Sequence, residues 1–265
     1  VINMEALLLF YKLASVGLGK CIPLYFILGQ ALARRPFIFA QATVVCLSGM
    51  ILGQLLKHIW QVPLQPHVQS LAYAYPSGHT LFAVVFWGWM LRSYPSRLMV
   101  IVACVVVLCY SAAMMGLGYH QAADIIGALL FGVAYVLLVH LLDNQSIRRW
   151  CSAAILWAAA GILAYALLPR TQPDLYLPIG GLVGTAIGLT FKQPQDTLLP
   201  LKMRLWFASI VLVGSVIWYL TIHALPLWPT AHYGVIAFGI GLWASYGTKR
   251  LTYTLTTLRI LPMLR

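Results

Sequence analysis

Acidic residues are nearly absent from this chain, whose 265 residues carry five Asp and Glu against seventeen Lys and Arg. Charged residues of either sign make up only 8%, where a soluble domain has about a quarter. So little charge cannot coat a water-facing surface, which excludes a water-soluble globule. The composition also lacks the high charge and low apolarity of a disordered chain, and it is neither collagen-like nor a coiled coil. Cysteine is sparse as well. Cys21, Cys46, Cys104, Cys109 and Cys151 lie in or beside apolar runs, and no pair forms a Cys-x-x-Cys. They read as small packing residues, with neither a disulfide frame nor a metal site expected.

What the chain has in abundance is apolar surface. Apolar residues reach 62%, and the mean hydropathy is +0.87. The class that remains is an all-α polytopic membrane protein. A net charge of +12 would point to nucleic acid in a soluble chain. Here the basic residues sit between apolar runs, as topology signals and lipid-headgroup contacts, so the expected partner is the bilayer and not nucleic acid.

A membrane span needs about 20 apolar residues. Runs bounded by charge, proline or turn residues predict about nine spans, near 5–33, 36–56, 77–94, 98–118, 120–142, 151–168, 176–191, 205–223 and 229–247. A basic, amphipathic tail from Lys249 to Arg265 is expected to lie along a membrane surface. No cleavable signal peptide is expected. With nine spans, thirteen of the seventeen cations fall on one side: Arg34, Arg35, Arg92, Arg97, Arg148, Arg149, Lys192, Lys202, Arg204, Lys249, Arg250, Arg259 and Arg265. Lys57 and Arg170 fall on the other, and Lys12 and Lys20 lie inside the first run. Positive residues stay cytoplasmic, so the side with Lys57 faces outward. That outward face carries the loop from Lys57 to Ser77 and the short turn from Gly116 to His120.

Two clusters on this face can carry chemistry. Tyr75-Pro76-Ser77-Gly78-His79-Thr80 opens the third span. Pro is favoured in a helix's first turn, Ser is a good N-cap, and Gly permits close backbone approach. The free N–H groups of such a helix start form an anion site, and His79 would sit beside a bound phosphate. The second cluster is His120-Gln121-Ala122-Ala123-Asp124. His and Asp at i and i+4 share a helix face. The carboxylate can accept a hydrogen bond from Nδ1 and leave Nε2 free as nucleophile or base. An acid within a membrane segment is a functional candidate by default. Taken singly, each feature has a plainer reading: helix capping for Pro-Ser-Gly, a structural hydrogen bond for His–Asp. His58, His67, His140, His223 and His232 read as interfacial residues. Both clusters lying on one face favours the functional reading.

Pro76-Ser77-Gly78-His79 and His120-x-x-x-Asp124, some forty residues apart in consecutive spans, resemble the second and third signatures of the type 2 phosphatidic acid phosphatase (PAP2) superfamily. The resemblance covers residues 36–142. It implies a PAP2-like catalytic core within 1–149, followed by a transmembrane extension with the basic tail over 150–265. It also implies a metal-independent lipid phosphatase that needs no cofactor and acts on a membrane lipid. In that scheme His120 is the nucleophile that forms a phosphohistidine, Asp124 orients it, and His79 protonates the leaving group. Ser77 and the Gly78 amide bind phosphate oxygens, and Lys57 matches the lysine of the first signature. That signature continues to an Arg-Pro, whereas here Gln65 precedes Pro66, one place late. The third signature has an arginine six residues before its histidine, and here Met114 stands there.

Lysine is a point charge and cannot replace a bidentate guanidinium on a phosphate dianion. A site with fewer cations suits a less charged group such as a phosphodiester. Ser77-Gly78-His79-Thr80 with His120 and Asp124 also resembles the sphingomyelin synthases, which move a phospho-headgroup between lipids. The expectations are therefore a lipid phosphatase acting on an isoprenoid or glycerolipid phosphate or pyrophosphate; alternatively a lipid phosphotransferase; or a catalytically silent lipid-binding or transport protein. The expected location is a bacterial inner membrane, with the site facing the periplasm.

Overall fold

The computed structural model describes residues 9, 11–13, 26, 28, 29, 32, 36–66, 73–142, 146–168, 175–191, 201–225, 229–247 and 250. Most of the run at 5–33, the tail beyond Arg250, Cys21 and His67 lie outside them. So do the topology cations Lys20, Arg34, Arg35, Arg170, Lys192, Lys249, Arg259 and Arg265.

The described residues are 87% helical, and none forms a strand. The helices are α1 (Pro36–Trp60), α2 (Gly78–Ser93), α3 (Arg97–Gly116), α4 (Ala122–Leu142), α5 (Ile147–Leu167), α6 (Tyr176–Thr190), α7 (Leu201–His223) and α8 (Pro229–Leu242). A π-helical turn, Trp243–Gly247, continues α8. Five stretches are long and apolar enough to cross a membrane: Phe37–Trp60, Arg97–Gly116, Ala122–Leu142, Ile147–Leu167 and Arg204–His223. This is the mark of an integral membrane protein. Helices α2, α6 and α8 have 16, 15 and 14 residues and fall short of that length. Helix α2 stops at Ser93 because Tyr94-Pro95 follows, and the residue before a proline is pushed out of the helical region. Apolar side chains also face outward at helical spacing, as Leu98, Ile101, Val105 and Leu108 do on α3. A bilayer tolerates such a face and water does not.

Contacts divide the chain into two units. One comprises residues 1–23, 49–143 and 166–172, and the other 24–48, 144–165 and 173–265. Helix α1 contributes its second half to the first and its first half to the second.

In the first unit, the register of α1, α2 and α4 is set by glycines. A Cβ at Gly53 would come within 2.9 Å of Leu81 Cδ2, and one at Gly49 would meet Val85. Helix α1 therefore runs antiparallel to α2, ending where α2 begins. Gly132 faces Val84 and Leu81, Gly88 faces Val136, and Gly127 lies under the Tyr75 ring. Residue numbers rise together along this contact, so α2 and α4 are parallel and start side by side. Helix α3 closes the group with a cluster of Ala83, Tyr110, Met114 and Ile125, flanked by Val107, Leu117 and Leu129.

The second unit is held by backbone contact. Gly180 and Gly184 of α6 lie against the carbonyls of Gly234 and Phe238 of α8, and Gly188 lies against Ser245 of the π turn. A small residue every fourth position is the device that lets membrane helices approach this closely. Phe37, Ala40, Cys151 and Leu189 pack together, and Cys151 Sγ lies 3.6 Å from the Ala186 carbonyl. The four described cysteines are free thiols.

Candidate active site

Three helix ends meet in the first unit: the C-terminus of α1 and the N-termini of α2 and α4. Each is shaped locally. Helix α1 ends because Gln61 takes a left-handed conformation (φ 49°) while its N–H still bonds the Lys57 carbonyl at 2.8 Å. Lys57 thus sits in the last turn, where the helix dipole favours a cation. The chain returns through an isolated bridge of Pro63 with Tyr73, with Ala74 N–H donating to Val62 O at 2.7 Å.

Ser77 caps α2. Its Oγ accepts from Thr80 N–H at 3.4 Å and donates to Thr80 Oγ1 at 3.2 Å, and both residues are fully buried. The end of α3 winds onto one acceptor. Tyr119 and His120 N–H both bond Met114 O, at 3.1 and 3.3 Å, after Gly118 takes a positive φ of 74° that suits glycine. This turn delivers His120 directly to the start of α4. There Asp124 Oδ2 accepts from Gln121 N–H at 2.9 Å, the reach-back of a capping box. That bond alone would account for an acid at position 124.

Capping does not account for what surrounds it. Ser77 N–H bonds the Asp124 carbonyl at 3.0 Å, joining the two clusters through their backbones. The space beside Gly78 Cα is bordered by Lys57, whose Nζ would lie 3.8 Å from a Cβ built there. His120 Nδ1 lies 3.4 Å from the same Asp124 oxygen that caps α4, close enough to pair but outside hydrogen-bond geometry. Lys57, His120 and Asp124 are 9%, 8% and 5% exposed, so these three ionisable groups are all withdrawn from water. His79 lies on the exposed side of α2.

The electrostatics are those of one group. The His120 pKa falls from 6.5 to about 4. Burial is the largest cause; the Lys57 charge, and to a lesser extent that of His79, act in the same direction, while Asp124 opposes them. His120 is therefore a neutral imidazole at pH 7, the form in which a ring nitrogen can attack or take a proton.

The structure thus brings together Lys57, Ser77, Gly78, His79, His120 and Asp124. Gln65 is half-buried in the loop after α1, and no hydrogen bond or ion pair among the described residues joins it to them. Met114 points into the apolar cluster with Tyr110; its carbonyl, not its side chain, serves the site. The other described histidines lie elsewhere. His58 Nδ1 is 3.0 Å from Gln54 O, and its ring meets Tyr73. His140 accepts from Arg92 Nε, and Arg92 also lies 4.6 Å from the centroid of the Trp89 ring, so this pair joins the opposite ends of α2 and α4. His223 stacks on Tyr219 and neighbours His232 at the junction of α7 and α8. Among the described residues, no three His, Cys, Asp or Glu side chains form a group able to hold a metal ion.

One residue beside the site has no sequence signal. Tyr110, within the apolar run of α3, meets the edge of the His79 ring at 6.3 Å between centroids. Nothing in its neighbours separates it from an ordinary core aromatic. No family model, curated protein or solved structure matches this chain.

Proposed function

We propose that the chain is a membrane-embedded phosphoryl-transfer enzyme of the PAP2 type, a lipid phosphatase that works through a phosphohistidine on His120. The observation that carries this reading is a buried neutral imidazole 3.4 Å from a buried carboxylate, with a lysine and two helix N-termini around it. Phosphoryl transfer asks a protein mainly for positioning and charge neutralisation, and these groups supply both. A phosphate held at the start of α2 meets Lys57 and the Gly78 amide, while the Ser77 hydroxyl, whose proton goes to Thr80 Oγ1, shapes that helix start. His120 Nε2 attacks phosphorus while Asp124 steadies the growing positive charge on the ring. The bond to the leaving oxygen breaks as His79 gives it a proton. Water then attacks the phosphohistidine, His79 takes the water's proton, and phosphate leaves.

The substrate is a membrane lipid bearing a phosphate or pyrophosphate, of isoprenoid or glycerolipid type. On the expected nine-span topology the site opens at the outer face of a bacterial inner membrane, where a lipid head reaches it by lateral movement. Ile59 is 70% exposed beside Lys57, a rim suited to acyl chains. The packing of Met114 into the apolar cluster favours a second reading. With no guanidinium from α3, a phosphodiester monoanion is balanced better than a dianion, and an acceptor lipid replaces water in the second step.

Purified protein should release inorganic phosphate from at least one of a panel of isoprenoid and glycerolipid phosphates, with chelator present. His120→Ala should reduce this to background. Transfer of a labelled headgroup to a second lipid, with little free phosphate, would select the phosphotransferase. Activity unchanged by His120→Ala would remove both.

A further inference from the structure

We infer that the Tyr110 hydroxyl is a phosphoryl-binding donor, taking a phosphoryl oxygen beside His79; this rests on the phosphoryl-transfer reading of the site. Tyr110 is 2% exposed, and its ring is wedged among Ala83 of α2, Met114 of α3 and Ile125 of α4. It is therefore fixed by the same helices that carry His79 and the His120–Asp124 pair. The His79 ring meets it edge-on at 6.3 Å, with 68° between the planes.

A tyrosine this deeply packed ordinarily satisfies its O–H with a protein acceptor. This one bonds no described residue. His79 itself is on the exposed side of α2, and its ring is the one the Tyr110 ring meets. Helix α3 brings no cation here, because the Met114 side chain is committed to the apolar cluster. The polar residue it does bring is Tyr110, a neutral donor whose ring meets that of the histidine assigned to proton transfer. Ser111, next along the helix, is also buried with an unpartnered hydroxyl, but no contact ties it to either histidine.

A neutral donor binds a phosphoryl oxygen without adding charge. In a site whose cation is Lys57, this holds the oxygen in place and leaves the charge balance to Lys57 and to the charge that develops on the imidazoles. The phenol touches the ligand and takes no part in bond making, so its loss should weaken binding more than it slows the chemical step.

The test uses the full chain in detergent, with orthovanadate as the probe, since its five-coordinate form mimics a phosphoryl group in transfer. Wild type, Tyr110→Phe, Ser111→Ala and His120→Ala are compared by titration calorimetry, each with a melting curve. Tyr110→Phe should bind vanadate about fivefold to tenfold more weakly, the scale of one neutral hydrogen bond, with an unchanged melting temperature. Ser111→Ala should match wild type, and His120→Ala should not bind. Equal binding by Tyr110→Phe and wild type, with loss in His120→Ala, would overturn the role of Tyr110 and leave the site standing. Weaker binding that tracks a lowered melting temperature would make Tyr110 structural and overturn it too. Failure of the wild type to bind, or binding unaffected by His120→Ala, would remove the site reading and this inference together.

Discussion

The two units differ in what their buried polar groups are. In the second, Thr43 donates to Phe39 O at 2.8 Å, Ser48 to Val44 O at 2.6 Å and Ser245 to Gly241 O within their own helices, and Trp218 Nε1 donates to Val235 O at 3.2 Å between α7 and α8. In the first, ionisable groups gather at three helix ends: Lys57 borders Gly78, His120 faces Asp124, and the Ser77 N–H joins the two clusters through the Asp124 carbonyl. A hydroxyl satisfied within its own turn contributes packing. A buried ionisable group is costly in a membrane. The difference separates a unit held by close backbone contact from one that gathers buried ionisable groups.

That contrast makes graded expectations. After the loss expected of His120→Ala, the largest effect belongs to His79→Ala. Removing a general acid lowers kcat by about 10²- to 10⁴-fold, read by phosphate release, with little change in melting temperature. A loss of stability without loss of rate per folded molecule would place His79 among the packing residues instead.

Next comes Gly184→Leu in the second unit. The new side chain runs into the Phe238 carbonyl, a backbone atom that cannot move aside. Overpacking of this kind costs about 1–3 kcal/mol or more, visible as a lowered melting temperature in detergent. An unchanged melt would erase the contrast from that side.

Lys57→Gln sharpens the electrostatic half of the comparison. On the proposed mechanism His120 reacts when neutral, so activity should be full well above pH 4 and lost as the pH falls through about 4. Lys57 holds that value down, so its removal raises the His120 pKa and moves the acid limb of kcat/KM upward, toward 6.5. Asp124 acts oppositely, and Asp124→Asn should move the limb below 4. Stability follows the same sign. Between pH 6.5 and about 4 the unfolded chain takes a proton that folded His120 refuses, so the native state loses stability as the pH falls through that window. A limb that stays put in Lys57→Gln would show that the two groups are not electrostatically joined.

The smallest effect is Gly118→Ala. At a φ of 74° a Cβ costs about 1 kcal/mol, measurable as a modest drop in melting temperature. A larger fall in activity than in stability is expected, because this turn presents His120.

Much of the site was legible because its parts are short-range patterns. Pro-Ser-Gly-His marks a helix start, and His and Asp four apart mark one helix face. Span counting alone put both on one side of the membrane, and the structure joins them at their backbones. Helix periodicity and hydropathy likewise gave the all-helical membrane class. Two features were not readable. The pairing of α6 with α8 depends on which glycines meet across helices, and spacing along one helix does not name its partner. Tyr110 looks like any aromatic in an apolar run, and what sets it apart is the proximity of His79, thirty-one positions away in sequence.

The central claim is that His120 forms a covalent bond to phosphorus, and trapping that bond tests it most directly. Protein incubated with a phosphorus-labelled lipid phosphate and quenched in alkali, where phosphohistidine survives, should carry label in the peptide containing His120. The label should be lost on acid treatment and absent from His120→Ala. Turnover of the lipid with no label on His120, or label retained in His120→Ala, would contradict the account.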